Sequence, residues 1–265
     1  MFNKISKLLG ASALVLSSLA ANAGVITVWG EELSGFNKST INDFYNGLAG
    51  HSSSIATGSL DTIDLSTTDL LWATQPSDSY SNAELLAMQS YLALGGRIAF
   101  MGEHGSFAPD QNLRINDALS FLGSSISINN DIVDAFFRTA SVGDGQILSH
   151  ELTQGVNSYE YAAFAPLTVG VGAEVLMVGE ELFNGETSVM MAFENIGAGS
   201  IFLITDQNVW DNSPGWGGTF DNARMFENLV TANTGAPAPT SQIPEPASIM
   251  LMSLALFGIR RQFRR

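Results

Sequence analysis

Glu103 and His104, side by side near the middle of the chain, and Asp206 far beyond them have side chains that move protons. A histidine next to carboxylates can act as a general base. Glu31, Asp206, Asp211 and Asp221 offer hard oxygen ligands, which suit Ca²⁺. Trp210 and Trp216, with Phe220, offer flat aromatic faces of the kind that stack on pyranose rings. Other chemistries are excluded. The chain has no cysteine, hence no thiol nucleophile, thiolate metal site or disulfide. It has neither a G-x-S-x-G elbow nor a metal-protease helix motif. Each candidate also has a plainer reading. Acidic residues at strand ends are often only solvated, and His104 can hydrogen-bond its own turn. Asp206 can cap a turn, and the tryptophans can pin a loop to the body. The plainer reading is the favoured one here. His51 and the run Asn129-Asn130-Asp131 carry no specific signal.

The elements that would hold these groups follow from the apolar pattern. VITVWG (25–30) and DLLWAT (69–74) are continuously apolar, as strands covered on both faces should be, and RIAFM (97–101) repeats the pattern. A helix capped by Ser39 or Thr40 runs to about Leu48, with Ile41, Phe44, Tyr45 and Leu48 on one face. A weak strand spans about Ser53 to Thr57. A second helix spans about Asn82 to Leu94, with an apolar stripe of Leu85, Leu86, Met88, Leu92 and, less cleanly, Tyr91. Gly95-Gly96 ends it. A third helix is expected from about Leu113 to Leu122, then a short strand, Ser125–Ile128. Residues 130–165 resist assignment. From 174 to 205 the pattern becomes an antiparallel meander, with a turn at Asn184-Gly185. A polar loop follows from Gln207 to Asp221, and a last helix, Asn222 to about Ala232, turns Met225, Phe226, Leu229 and Val230 inward. The fold class is α/β, a three-layer open sheet, mostly parallel, with the meander towards the C-terminal part. If strands 25–30, 69–74, 97–101 and 201–205 are parallel neighbours, one rim receives Glu31, Glu32, Gln75, Glu103, His104 and Asp206.

The 265-residue chain has a formal net charge of −15, but six of its eleven basic residues lie at the termini. All 26 acidic residues lie between Glu31 and Glu245, so the middle carries −21. Such a surface repels nucleic acid and anionic lipid. Hydrophobic residues make up 45%, enough for a real core. Residues 1–23 read as a secretory signal peptide: Lys4 and Lys7, an apolar middle, then Ala21-Asn22-Ala23 before a cut at Gly24. Residues 24–232 make the domain, and 233–243 (NTGAPAPTSQI) a flexible linker. Residues 244–265 open with Pro244-Glu245-Pro246, continue with an apolar run from Ala247 to Ile259, and end in Arg260, Arg261, Arg264 and Arg265. The run is short for a membrane span, and the arginines would hold that end on the cytoplasmic side.

That tail resembles the PEP-CTERM sorting signal of bacteria that make extracellular polysaccharide. The resemblance implies export, transient membrane association through the tail, and processing by an exosortase after signal peptidase has acted near Ala23. The destination would be the cell surface or the medium. The domain in turn resembles the class I glutamine amidotransferase-like superfamily, particularly non-catalytic members related to gliding-motility and transport accessory domains. The carrying features are DLLWATQP, a helix ending in Gly-Gly, RIAFMGEHG, and later GSIFLITD followed by NARMFENLV. A flavodoxin-like sheet is implied. Catalytic members place a cysteine in the sharp turn that here holds Glu103 and His104, so amidotransfer by that mechanism is excluded. His150-Glu151 has the letters of the family's His-Glu pair but precedes the meander.

The expectation is therefore an exported surface or matrix protein with a non-catalytic domain that binds a partner or glycan, such as extracellular polysaccharide or a surface protein. The alternatives are a hydrolase using Glu103, His104 and Asp206, or a calcium-dependent binding module on the acidic rim. No cofactor is implied beyond the Ca²⁺ of that alternative.

Overall fold

The computed structural model describes residues 24–30, 38–210 and 220–232. The signal peptide, Glu31, Glu32, Asp211, Trp216, the linker and the tail lie outside the described residues. Among those described, no helix is long and apolar enough to cross a membrane.

The first half alternates strand and helix. Strand β1 (Val25–Trp29) leads to α1 (Lys38–Gly47) and β2 (Ser52–Ile55), and then to β3 (Leu70–Ala73) and α2 (Asn82–Ala93). Strand β4 (Arg97–Met101), α3 (Pro109–Leu122) and β5 (Ile126–Ile128) follow. The second half holds β6 (Arg138–Ser141), β7 (Ser158–Tyr161), β8 (Leu167–Val169), β9 (Ala173–Phe183), β10 (Glu186–Ile196), β11 (Gly199–Ile204) and α4 (Asn222–Thr231). The main sheet runs β2-β1-β3-β4-β11-β10-β8-β5, with β9 also paired to β10. From β2 to β11 the pairs are parallel, and beyond β11 they are antiparallel. β6 and β7 form a separate antiparallel ribbon. The expected three-layer, mostly parallel sheet with an antiparallel meander is the observed one.

Two cores flank the sheet. On one face Ile41 and Tyr45 of α1 and Met225, Phe226 and Leu229 of α4 pack on Ile26, Trp72, Met101 and Phe202. On the other, Leu85, Met88, Tyr91 and Leu92 of α2 and Ile115, Ala118 and Leu119 of α3 cover Leu71, Ile98, Phe100 and Leu203. Both faces of the parallel strands are thus buried, which is why their sequences are apolar without alternation. Edge strand β2 is partly blunted. The Asn46 side chain accepts from the Ser53 N–H (2.8 Å) and donates to the Ser53 carbonyl (3.1 Å), standing in for a neighbouring strand.

Several local expectations need correction. Helix α1 starts at Lys38, so Ser39 and Thr40 sit in its first turn rather than capping it. In α2 the stripe takes Tyr91 and leaves Leu86 exposed. Tyr91 reaches inward because its hydroxyl donates to the Thr68 carbonyl (3.1 Å), and its ring fills the space a Cβ on Gly96 would need. Gly95 supplies the left-handed turn, at φ 95°. Helix α3 starts at Pro109, where a proline loses nothing because the first-turn N–H has no intrahelical partner. At the β9–β10 turn, Asn184 (φ 53°) and Gly185 (φ 82°) adopt the left-handed conformations a tight hairpin requires.

Candidate functional site

Parallel strands β1, β3, β4 and β11 deliver their carboxyl ends to one rim, as their order requires. Gln75, Glu103, His104, Asp206 and Gln207 gather where β3, β4 and β11 end. Asn112 of α3 shapes the turn after β4: its Oδ1 accepts from the Glu103 N–H (3.1 Å), and its Nδ2 donates to the Glu103 carbonyl (2.5 Å) and to Asn130 Oδ1 (3.0 Å). The Gly105 N–H donates to the Asp131 carbonyl at 2.8 Å. Asn130 and Asp131, which carry no signal as sequence, therefore hold this turn.

With the turn fixed, Glu103 points inward and is 1% exposed; Asp206 is 0% exposed. Glu103 Oε1 accepts from the His104 N–H (2.7 Å) and Oε2 from the Gln207 N–H (3.0 Å). Asp206 Oδ2 accepts from the Ala162 N–H (2.7 Å), just after β7, and Oδ1 from the Asn208 N–H (2.8 Å). Gln75 Nε2 donates to Gln207 Oε1 at 3.1 Å. Burial, and after it the charge of Asp206, push the Glu103 carboxyl well above the ordinary range. Tyr159, wholly buried nearby, has its hydroxyl pushed up by burial and then by Asp206. That hydroxyl has no hydrogen-bond partner.

His104 alone of the three proposed proton-movers keeps an outer face. Its Nδ1 shares a hydrogen bond with Ser106 Oγ (2.8 Å), its Nε2 lies 3.7 Å from Glu103 Oε1, and burial lowers its pKa. Ser106 was not marked in the sequence, because a serine in a glycine-rich turn reads as turn chemistry. The structure brings Glu103, His104 and Asp206 together, but the two carboxyls tie strand ends to one another. A general acid or base must reach the proton it moves.

Of the candidate oxygen ligands, Asp206 and Asp221 are described, and each is engaged by backbone N–H groups. Asp221 accepts from the N–H groups of Asn157 (2.8 Å) and Ser158 (3.2 Å), at the start of β7. No group of three or more His, Asp or Glu side chains placed to hold a metal occurs among the described residues. Trp210 requires a correction. It is 0% exposed, tilted on Phe226 (centroids 4.2 Å apart) and edge-on to Trp72 (5.3 Å). Its faces belong to the core and are closed to a sugar. His150 stands on Phe193 (5.2 Å) with Nε2 3.8 Å from Glu174, near Arg97 at the opposite end of β4 from Glu103. It does not join the rim.

Residues 242–265 match the PEP-CTERM protein-sorting motif. No curated protein matches the sequence. Among solved structures, the chain is similar to the mmIFT52 N-terminal domain, with a TM-score of 0.61 at 19% identity over 79% of this chain and 99% of that one. It is similar to a ThuA-like protein from Parabacteroides merdae, with a TM-score of 0.55 at 10% identity over 84% and 94% of the two chains. A ThuA-like protein from Bacteroides uniformis gives 0.53 at 12% identity over 83% and 96%. These likenesses show the fold alone, a flavodoxin-like α/β sheet. The sorting motif supports an exosortase-processed protein exported to the cell surface.

Proposed function

We propose that this is an exported, exosortase-sorted surface or matrix protein whose α/β domain binds a partner or glycan without catalysing a reaction. In this reading residues 1–23 are removed as a signal peptide, 24–232 form the domain, 233–243 the linker and 244–265 the sorting tail. The observation that carries the non-catalytic part is the sealing of Glu103 and Asp206, whose oxygens all accept backbone N–H groups. The missing cysteine supports it from the sequence side.

The Ser106–His104 contact is the one feature that favours a hydrolase. Against it, both residues sit in a single turn, and the carboxyl behind the histidine is 3.7 Å away and resists ionisation through burial and the charge of Asp206, so it stabilises an imidazolium poorly. Glutaminase, esterase and peptidase assays on the exported protein test the reading. No turnover is expected. Turnover that disappears in Ser106→Ala or His104→Ala overturns it.

A further inference from the structure

Strand order reverses between β1 and β3: from β1 the chain passes to β2 on one side, then returns to β3 on the other. Ligands of open α/β sheets bind in the crevice outside the carboxyl ends at such a reversal. An open cavity of ≈ 420 Å³ lies there, bounded by Trp29 after β1, the 56–59 segment after β2 and the 76–80 segment after β3. Its size is in the range of small-molecule sites, about 300–1,000 Å³. We propose that this cavity binds a neutral sugar, a mono- or disaccharide unit of a glycan, against Trp29 and Tyr80 with Asp78 gripping its hydroxyls. The inference rests on the reading of the domain as a binding module.

Three observations select the ligand class. First, the cavity wall is aromatic. The Trp29 and Tyr80 rings lie 5.8 Å apart at 31°. The indole N–H is already committed to the Gly58 carbonyl (2.8 Å) and the residue is only 8% exposed, so Trp29 backs the Tyr80 ring from the core and offers no donor. Second, an anion is disfavoured although a helix N-terminus is near. Ser81 caps α2 by accepting from the Glu84 N–H (3.2 Å), and Glu84 accepts from the Ser81 N–H (2.9 Å), the Leu60 N–H (3.3 Å) and Ser59 Oγ (3.1 Å). Burial alone would raise the Glu84 pKa, but those bonds lower it, so its charge occupies the place where a phosphate would sit. Among the described residues Asp78 adds a second carboxylate against one ammonium, Lys38. Third, the polar groups suit hydroxyls. Asp78 is exposed at the mouth and Ser77 and Ser79 flank it, while the Tyr80 hydroxyl is buried away from the opening, so that Tyr80 offers ring surface only. A carboxylate can accept from two neighbouring hydroxyls at once. Lys38 offsets one of the two carboxylates, and the choline contrast separates a neutral polyol from an organic cation.

The exported protein is titrated calorimetrically and by tryptophan fluorescence with lactose, maltose and cellobiose, and with glucose 6-phosphate and choline as contrasts. At least one disaccharide is expected to bind in preference to both contrasts. Asp78→Asn, on an exposed residue, should weaken it about tenfold or more through loss of charge-assisted bonds. Tyr80→Ala should weaken it about three- to tenfold through loss of the ring surface. No disaccharide binding, or binding unaffected by both substitutions, overturns the site. Preference for the phosphate or choline overturns the ligand class and leaves the binding-module reading standing. Hydrolysis of a bound disaccharide would do the reverse, keeping the site and sinking the non-catalytic reading.

Discussion

The Gln207 N–H donates to Glu103 Oε2 at 3.0 Å, across 104 residues of sequence. This bond joins the ends of β4 and β11 immediately beside Asp206. It places an acid where water does not reach and where a second carboxyl already stands. The cost of ionising Glu103 is therefore borne by the folded state alone, because in the unfolded chain both groups are solvated.

Stability should follow from that with a definite sign. The folded pKa of Glu103 lies above its unfolded value of 4.5, so the folded protein binds the extra proton. Stability is full below pH 4.5 and falls as pH rises through the folded pKa. His104 acts oppositely: its folded pKa lies below 6.5, so its contribution is lost as pH falls beneath that value. Urea unfolding as a function of pH should show Glu103→Gln removing the loss at the alkaline side and leaving the acid side to the histidines. An unchanged slope would mean that Glu103 is ionised in the fold.

Trp210→Ala should cost about 3–5 kcal/mol, the usual price of deleting a buried tryptophan. The ring lies among Phe44, Tyr45, Trp72 and Phe226, and it links the segment after β11 to α1, β3 and α4. Urea denaturation measures the loss. Trp210→Phe should recover part of it. Sugar binding by the folded Trp210→Phe protein should match the wild type, because the ring faces the core and not the cavity at β1 and β3.

Trp210 also shows how far the sequence could be read. Its neighbours Gln207, Asn208 and Asp211 are polar, and by local rules that places it in an exposed loop. The apolar partners that bury it come from three distant elements, α1, β3 and α4. Strands β1, β3, β4 and β11 were legible because burial on both faces writes itself into every residue. The rim was legible too, since parallel strands bring their ends together. The sealing of the rim was not, because the Ala162 N–H that closes over Asp206 belongs to 133–164, where strands are short and partners remote. The cavity at Trp29 and Tyr80 went unmarked for a related reason. VWG and SDSY signal a strand end and a loop, and only the β2-β1-β3 order makes them neighbours.

Asp134 anchors that same segment. It sits at φ 51° with its side chain wholly buried, accepting from Tyr161 Oη (2.8 Å) and the N–H groups of Glu180 (2.7 Å) and Glu181 (3.0 Å). Asp134→Ala would strand three donors and put a methyl-bearing residue in a left-handed conformation that Asp and Asn tolerate better. A loss of about 3 kcal/mol or more is expected in urea unfolding, mostly from the unpaired donors. Asp134→Asn should cost less, since it keeps an acceptor and the backbone tolerance. Equal costs would indicate that the negative charge, near Arg138, matters more than the hydrogen bonds.

The last prediction concerns the tail, where residues 242–265 match the sorting motif. An apolar run from Ala247 to Ile259 is short for a span, so its retention depends on what flanks it. Arg260, Arg261, Arg264 and Arg265 cannot be deprotonated and resist translocation; in the proposed reading this holds the run in the membrane with Pro244-Glu245-Pro246 at the outer face until the tail is cut. In the same reading the Pro/Ala/Thr linker before it lets a domain carrying −20 clear an anionic membrane surface. Replacing all four arginines with glutamine should release or mis-sort the precursor, while the domain folds as before because none of the four is part of it. Intact-mass measurement on surface and medium fractions checks both chains. The native chain should lack residues 247–265 and the substituted chain should retain them. A native mass that still includes those residues would make the tail a permanent anchor, and the exosortase would have no part in its fate.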